Sequence, residues 1–175
     1  SFNLIEALRS RLGQAIEVAP GKRLQRNESG VVEWAMPAAE PVFSIASCEV
    51  SLLGQAGEAE FGSRTFSWER MPGGLAKWNE LGQLESGEVF DAKALGQAIT
   101  LRHWQPGDRF KPIGQTGTAK LQDLFVNQKV PREERHWRII GESEDGRLFW
   151  VDGLRIAEPF KVTEATGELL VFRFG

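Results

Sequence analysis

Residues 139–156 read IIGESEDGRLFWVDGLRI, two apolar runs, Ile139–Ile140 and Leu148–Val151, punctuated by Asp145-Gly146 and Asp152-Gly153. Asp-Gly between apolar runs signals a tight hairpin, because such turns need positive φ, which glycine adopts freely and aspartate tolerates. Further runs at Leu154–Ile156, Phe160–Val162 and Leu169–Phe174 continue the pattern. Runs this short, separated by turn residues, predict antiparallel strands rather than packed helices.

Working back toward the N-terminus, Ile99–Trp104 predicts another strand, and Pro106-Gly107 a turn that delivers Asp108 and Arg109. Between Lys120 and Val126 the pattern changes: Leu121, Leu124 and Phe125 fall at helical spacing, with Thr118 as the expected cap. Pro131 suits the first turn of a second short helix running through Arg135. Residues 98–175 are therefore expected to form an α+β subdomain, an antiparallel sheet with two short helices.

The first half reads differently. Leu4, Ile5, Leu8 and Leu12 make one helical stripe ending at Gly13, so residues 1–14 are expected to be a helix belonging to an upstream linker. From 15 to 97 the runs Ile16–Val18, Val31–Trp34, Phe43–Ile45, Val50–Leu53 and Phe61–Trp68 predict a mostly antiparallel β subdomain. Met71–Gly87 is glycine-rich and reads as irregular, and Glu88–Gly96 as a strand with a helical turn at Asp91. A domain boundary is expected near Gly96.

The charge is uneven. The chain carries 21 Lys+Arg against 24 Asp+Glu, a formal charge of -3, which gives no global nucleic-acid signature. Residues 1–98 hold 9 basic and 13 acidic side chains, whereas residues 99–138 hold 8 basic (Arg102, Arg109, Lys111, Lys120, Lys129, Arg132, Arg135, Arg138) and 4 acidic. That local excess, with Trp104, Trp137, His103 and His136 among it, suits a phosphate backbone. Solvated arginines around core tryptophans are the competing reading.

Residue types exclude several chemistries. One cysteine, Cys48, rules out an internal disulfide and, from its apolar surroundings, is expected to be a buried structural thiol. Two histidines and one cysteine leave no zinc cluster. There is no G-x-S-x-G elbow, and Gly114–Gly117 stands at the wrong spacing from Lys120 for a phosphate loop. His103 and Asp108 lack a nucleophile, so no catalytic residue and no metal site are expected in this chain. No apolar run reaches the roughly 18 residues of a membrane span, and the start lacks the order of a secretory signal; no membrane association and a cytoplasmic location are expected.

Four blocks occur in order: Leu101-Arg102-x-Trp104-x-Pro106-Gly107-Asp108-Arg109-Phe110-x-Pro112-Ile113-Gly114, then Lys120-Leu121-x-Asp123-Leu124-Phe125, then Lys129-Val130-Pro131-Arg132-x-x-Arg135, then Trp150-Val151-x-Gly153-Leu154-Arg155-Ile156-Ala157. Together they resemble the C-terminal domain of the tRNA(Ile)-lysidine synthases. Ile16–Arg26, with its Pro20-Gly21 turn, is similar to the strand pair that opens the first C-terminal subdomain of that family. The resemblance implies a larger enzyme whose N-terminal PP-loop domain uses ATP and magnesium to activate the wobble cytidine of tRNA(Ile) for attack by lysine. No S-G-G-x-D-S loop occurs here, so the chain is expected to lack the catalytic domain, to hold no cofactor and to be inactive alone. Its implied partners are tRNA, gripped on the acceptor-stem side, and the catalytic domain of the same polypeptide. Duplex RNA is recognised largely by shape, phosphates and 2'-hydroxyls, for which arginine and lysine are suited.

The candidate contacts are Arg102, Arg109, Lys111, Lys120, Lys129, Arg132, Arg135 and Arg155. An internal Asp108–Arg109 pair competes with an RNA contact at Arg109, and a salt bridge to Glu158 or Asp152 competes at Arg155. The alternative for the whole chain is a structural or oligomerisation module, homodimeric and without RNA contact, suggested by the acidic, motif-free first half.

Overall fold

A computed structural model of the chain describes Glu6 and residues 15–19, 22–35, 44–82 and 84–175. They fall into two compact units, Ser1–Pro41 and Val42–Gly175. In the first unit, β1 (Ile16–Ala19), β2 (Lys22–Arg26) and β3 (Val32–Trp34) form an antiparallel meander in that order. Its β2–β3 turn is closed by Asn27, whose Oδ1 accepts from the Val31 amide at 2.9 Å, with Gly30 at φ 82°. The helix expected over residues 1–14 lies outside the described residues, except that Glu6 is helical.

The second unit contains β4 (Ser47–Ser51), β5 (Ala56–Phe61), β6 (Arg64–Pro72), α1 (Leu75–Leu81), β7 (Gly87–Asp91), α2 (Ala92–Leu95), β8 (Ala98–His103), β9 (Arg109–Phe110), β10 (Ala119–Lys120), α3 (Leu121–Asn127), α4 (Arg132–Arg135), β11 (Ile139–Ser143), β12 (Leu148–Val151), a 3-10 turn at Glu158–Phe160 and β13 (Glu168–Phe174). The fold class is α+β, mostly antiparallel, as expected. One sheet has the order β12-β11-β8-β4, the other β5-β6-β13-β7, and every pairing in both is antiparallel.

The boundary expected near Gly96 is not a boundary of this structure. β8 pairs with β4, and β13 inserts between β6 and β7, so both sheets mix residues from either side of Gly96. The physical cause is visible in β13: Leu169–Phe172 are all buried, so this strand needs neighbours along both edges and cover on both faces. Its neighbours come from the first half of the chain.

Aromatic rings join the sheets. Phe149 of β12 stands edge-on to Phe90 at 5.1 Å and to Phe172 at 6.0 Å, and Trp150 lies 6.0 Å from Phe66 and 5.7 Å from Phe172. Successive strand residues normally face opposite ways, but the register of β11 and β12 slips between Gly141 and Glu142. The bulge turns both neighbouring rings into the core. Gly141 makes room for one of them: a Cβ there would collide with the Phe149 ring.

Several local expectations are corrected. Phe61–Trp68 is not one run, because Gly62 and Ser63 both take positive φ (59° and 61°) and reverse the chain between β5 and β6. Ile45 lies outside any strand and is exposed, Phe43 is outside the described residues, and β4 begins earlier than expected and ends before Leu52. Helix α1 occupies part of the stretch expected to be irregular. Its Leu75, Trp78 and Leu81 fall at helical spacing, with Leu81 packed on Val89, Leu169 and Val171, but the helix spans only seven residues, follows Gly73-Gly74 and has no side-chain cap. Leu154–Ile156 and Phe160–Val162 are not strands; Pro159 is the second residue of the 3-10 turn, and Ala157 makes an isolated bridge to Pro112. Cys48 is half-buried rather than buried, on edge strand β4.

Candidate nucleic-acid interface

The Pro106-Gly107-Asp108-Arg109 segment organises the basic region from the inside. Gly107 takes φ 99°, and the Asp108 carboxylate accepts from the Gln105 amide at 2.9 Å, closing the turn. The same carboxylate receives both terminal nitrogens of Arg102, at 3.0 and 2.9 Å. Arg102 also donates from Nε to Glu142 at 3.0 Å. Burial alone would lower the guanidinium pKa, but the hydrogen bonds and charges of Asp108 and Glu142 outweigh it, and the pKa is raised. Arg102 is therefore a half-buried structural cation that ties the turn to β8 and β11. The pairing of Asp108 with Arg109 that the sequence allowed does not form; Asp108 belongs to Arg102.

With the turn fixed, β9 leaves it in a defined direction, Phe110 inward and Arg109 outward. The first amide of α3, that of Leu121, donates to the Asp108 carbonyl at 2.9 Å. The expected Thr118 cap is thus replaced by a backbone carbonyl, and Lys120 stands at the cap position without a side-chain bond. Across the β9–β10 pair Arg109 is registered directly opposite Lys120. Facing residues of an antiparallel pair project to the same side, so two like charges are held together, which is unfavourable unless an anion joins them.

Arg109 also donates to the Thr118 carbonyl at 3.2 Å, which braces the connection between β9 and β10. Arg109, Lys111 and Arg147 line a cleft of about 420 Å³ with Thr118, Pro159 and Phe160. The Arg147 guanidinium lies 4.9 Å from the Phe160 ring centroid. The carboxylates around the cleft are engaged. Arg147 and then Ser143 hydrogen-bond Asp145 and hold its pKa at about 2, and Lys161 followed by the Gly114 amide lowers that of Glu158. Arg109, Lys111 and Lys120, by contrast, close no ion pair with the described residues.

The helical side divides in the same way. Lys129, at φ 57°, and Arg132 are exposed, whereas Arg135 donates from Nε to the Val130 carbonyl at 2.9 Å and locks the α3–α4 connection. Arg138, expected to extend that row, is ion-paired with Glu134 and Asp152. Trp104 is buried edge-on to Phe125 at 5.6 Å, as the core reading has it, while Trp137 is 62% exposed. Buried His103 is bonded through Nδ1 to the Trp137 carbonyl at 3.1 Å, which leaves no acid–base pair with Asp108.

Arg155 stands apart from the cleft. Neither of its expected partners is available: Asp152 is taken by Arg64 and Arg138, and Glu158 by Lys161. It lines a separate cavity with Glu88 and Trp78. Among the described residues no cluster of metal-ligating side chains occurs, and no helix is long and apolar enough to cross a membrane.

A turn closed by an internal Asp–Arg pair, opening onto a basic two-stranded rim and a short helix, is the structural content of the blocks that begin at residue 101. Residues 99–171 match the TilS substrate C-terminal domain. The chain is similar to the C-terminal region of tRNA(Ile)-lysidine synthases. The enzyme of that name from Clostridium acetobutylicum is 42% identical over 83 residues, 47% of this chain and 18% of the relative. That of Geobacter sulfurreducens is 38% identical over 100 residues, 57% of this chain and 21% of the relative. The chain thus spans about a fifth of the length of these relatives. The solved structure of a TilS C-terminal domain shares the fold, with a TM-score of 0.58 and 22% identity over 74% of this chain and 96% of that one.

The TilS-type segment therefore brings Arg109, Lys111 and Lys120 together, leaves Lys129 and Arg132 exposed around α4, turns Arg102 and Arg135 inward and leaves Arg155 outside the cleft, between the cavity with Glu88 and a smaller one lined by Phe110 and Gln128. Sequence reasoning missed Arg147, which was legible only as the residue after a hairpin Asp145-Gly146. Its seat on Phe160 depends on a contact between distant parts of the chain.

Proposed function

We propose that this chain is the tRNA-gripping region of a tRNA(Ile)-lysidine synthase. Arg109, Lys111 and Lys120, joined by Arg147, contact the phosphates of the acceptor-stem side. Lys129 and Arg132 extend the contact along the α4 side, while Arg102 and Arg135 position the surface without touching RNA. The observation that carries this reading is the Arg109–Lys120 register: two cations without an ion-pair partner among the described residues, held opposite each other on a short β pair that a structural inward pair, Arg102–Asp108, keeps rigid. A polyanion relieves that repulsion. ATP, magnesium and lysine chemistry belongs to a PP-loop catalytic domain of the same cytoplasmic polypeptide, and this chain alone is inactive.

Filter binding of tRNA(Ile) by the 175-residue chain over a salt series tests the proposal. Each phosphate neutralised releases counterions, so log affinity should fall linearly with log salt. Absence of tRNA binding even at low salt would sink it. The reading as a structural module draws on one feature, exposed Ile45 and Leu53 flanking edge strand β4. Light scattering decides it, since a strict monomer removes self-association as the role.

A further inference from the structure

Arg155, set apart from the basic cleft, faces a cavity of about 580 Å³ between helix α1 and the edge strand β7, lined among others by Trp78, Asn79, Leu84, Glu88 and Val89. We propose that this cavity is a pocket for one unpaired nucleobase of RNA, guanine by its chemistry. The inference rests on the tRNA-binding reading for its biological ligand, but its features are separate from those of the cleft.

Three observations carry it. Trp78 is 41% exposed and lines the cavity, and the open part of an indole is a stacking platform for a base. Glu88 and Arg155 line the same cavity with opposite charges, yet they close no ion pair, and neither has a hydrogen-bonding side-chain partner among the described residues. The Glu88 carboxyl is pushed up by burial, only partly countered by the Arg155 charge. A partly desolvated carboxylate without donors is an unfavourable arrangement that a ligand bearing N–H groups relieves. Lastly, among the described residues β7 pairs with β13 alone, so alternate backbone N–H and C=O groups of Gly87–Val89 on its other edge also remain open to a ligand.

The donor and acceptor set favours guanine. Its N1–H and N2–H lie side by side and match the two oxygens of one carboxylate, while O6 and N7 accept from arginine. Cytosine and adenine offer that carboxylate an amino group only, and uracil a single imide N–H. The base stacks on Trp78, Glu88 takes its donors, and Arg155 takes its acceptors.

The test is a titration of the isotopically labelled chain with guanosine, adenosine, cytidine and uridine, following the indole N–H signals of its six tryptophans. Nucleosides carry no phosphate and are not drawn to the basic cleft. The expected result is a saturable shift of the Trp78 signal, at least about fivefold tighter for guanosine than for the other three. Glu88→Gln should weaken guanosine at least about fivefold, since an amide replaces one acceptor by a donor. Trp78→Ala should weaken tRNA several-fold without changing the salt slope, and the remaining indole signals report that the variant is folded. Equal shifts with all four nucleosides overturn the guanine assignment. No shift with any of them, together with unchanged tRNA affinity of Trp78→Ala, overturns the pocket while salt-dependent binding by the parent chain leaves the cleft reading intact. If the parent chain binds no tRNA, the cleft reading falls and the guanosine titration still decides the pocket.

Discussion

Arg102 and Arg109 lie seven positions apart in the sequence, in the same basic stretch, and have opposite fates. Arg102, near the centre of its sheet, is clamped by Asp108 and Glu142 with 17% of its side chain exposed. Arg109, on the β9–β10 rim, has no carboxylate partner among the described residues and stands opposite Lys120. The difference teaches that a basic run does not identify a binding surface. What separates a structural arginine from an available one is whether a carboxylate from elsewhere in the chain reaches it first.

The comparison breaks most visibly at its buried end. Arg102→Ala leaves Asp108 and Glu142 without their cation, so chemical denaturation should show a loss of roughly 3 kcal/mol, as expected when one partner of a half-buried network is removed. A denaturation midpoint equal to that of the parent chain would show that the clamp is not structural. At the rim the effect should move from stability to binding. Replacing both Arg109 and Lys120 by alanine removes a like-charge pair, so stability should stay within about 0.5 kcal/mol of the parent. The affinity for tRNA should drop about tenfold or more, and the salt slope should flatten by about 2. A steep, unaltered slope in that variant would place the RNA contacts elsewhere.

Arg138 sharpens the middle of the scale. It pairs with exposed Glu134 and with Asp152, which Arg64 also holds, so Arg138→Ala should cost only about 1 kcal/mol in thermal or urea unfolding and leave the tRNA salt slope unchanged. The smallest effect belongs to the Asp145–Arg147 pair. An NMR titration should find the Asp145 carboxyl at about 2, climbing toward its ordinary 3.8 in Arg147→Ala. As pH falls the unfolded chain takes up this proton first, so the pair stabilises the fold above about pH 4 and its contribution is lost between there and about pH 2. Both side chains are 53% exposed, which keeps that contribution to roughly a few tenths of a kcal/mol.

The elements closest to their sequence signals were those built from local chemistry. Asp145-Gly146 turns the β11–β12 hairpin, Asp91 caps α2 through its own carboxylate, and Leu121 and Phe125 bury one face of α3. Helix α1 escaped because its stripe, Leu75, Trp78 and Leu81, covers only seven residues between glycines and has no side-chain cap to mark its start. The site was legible in part. Arg109, Lys111 and Lys120 converge on one rim, but Arg147 joins them only through its stacking on Phe160. Arg102, a natural candidate by charge, is taken from the surface by Glu142, 40 positions away.

By itself the sequence determined the α+β class, the turn positions and the ordered blocks after residue 101, because these depend on backbone preferences and apolar spacing within a few residues. Only the tertiary structure decided that the halves on either side of Gly96 share two sheets, and which cations are available. Strand partnership and charge neutralisation are contacts between distant residues, and no local pattern encodes which carboxylate an arginine will meet once the sheets have closed.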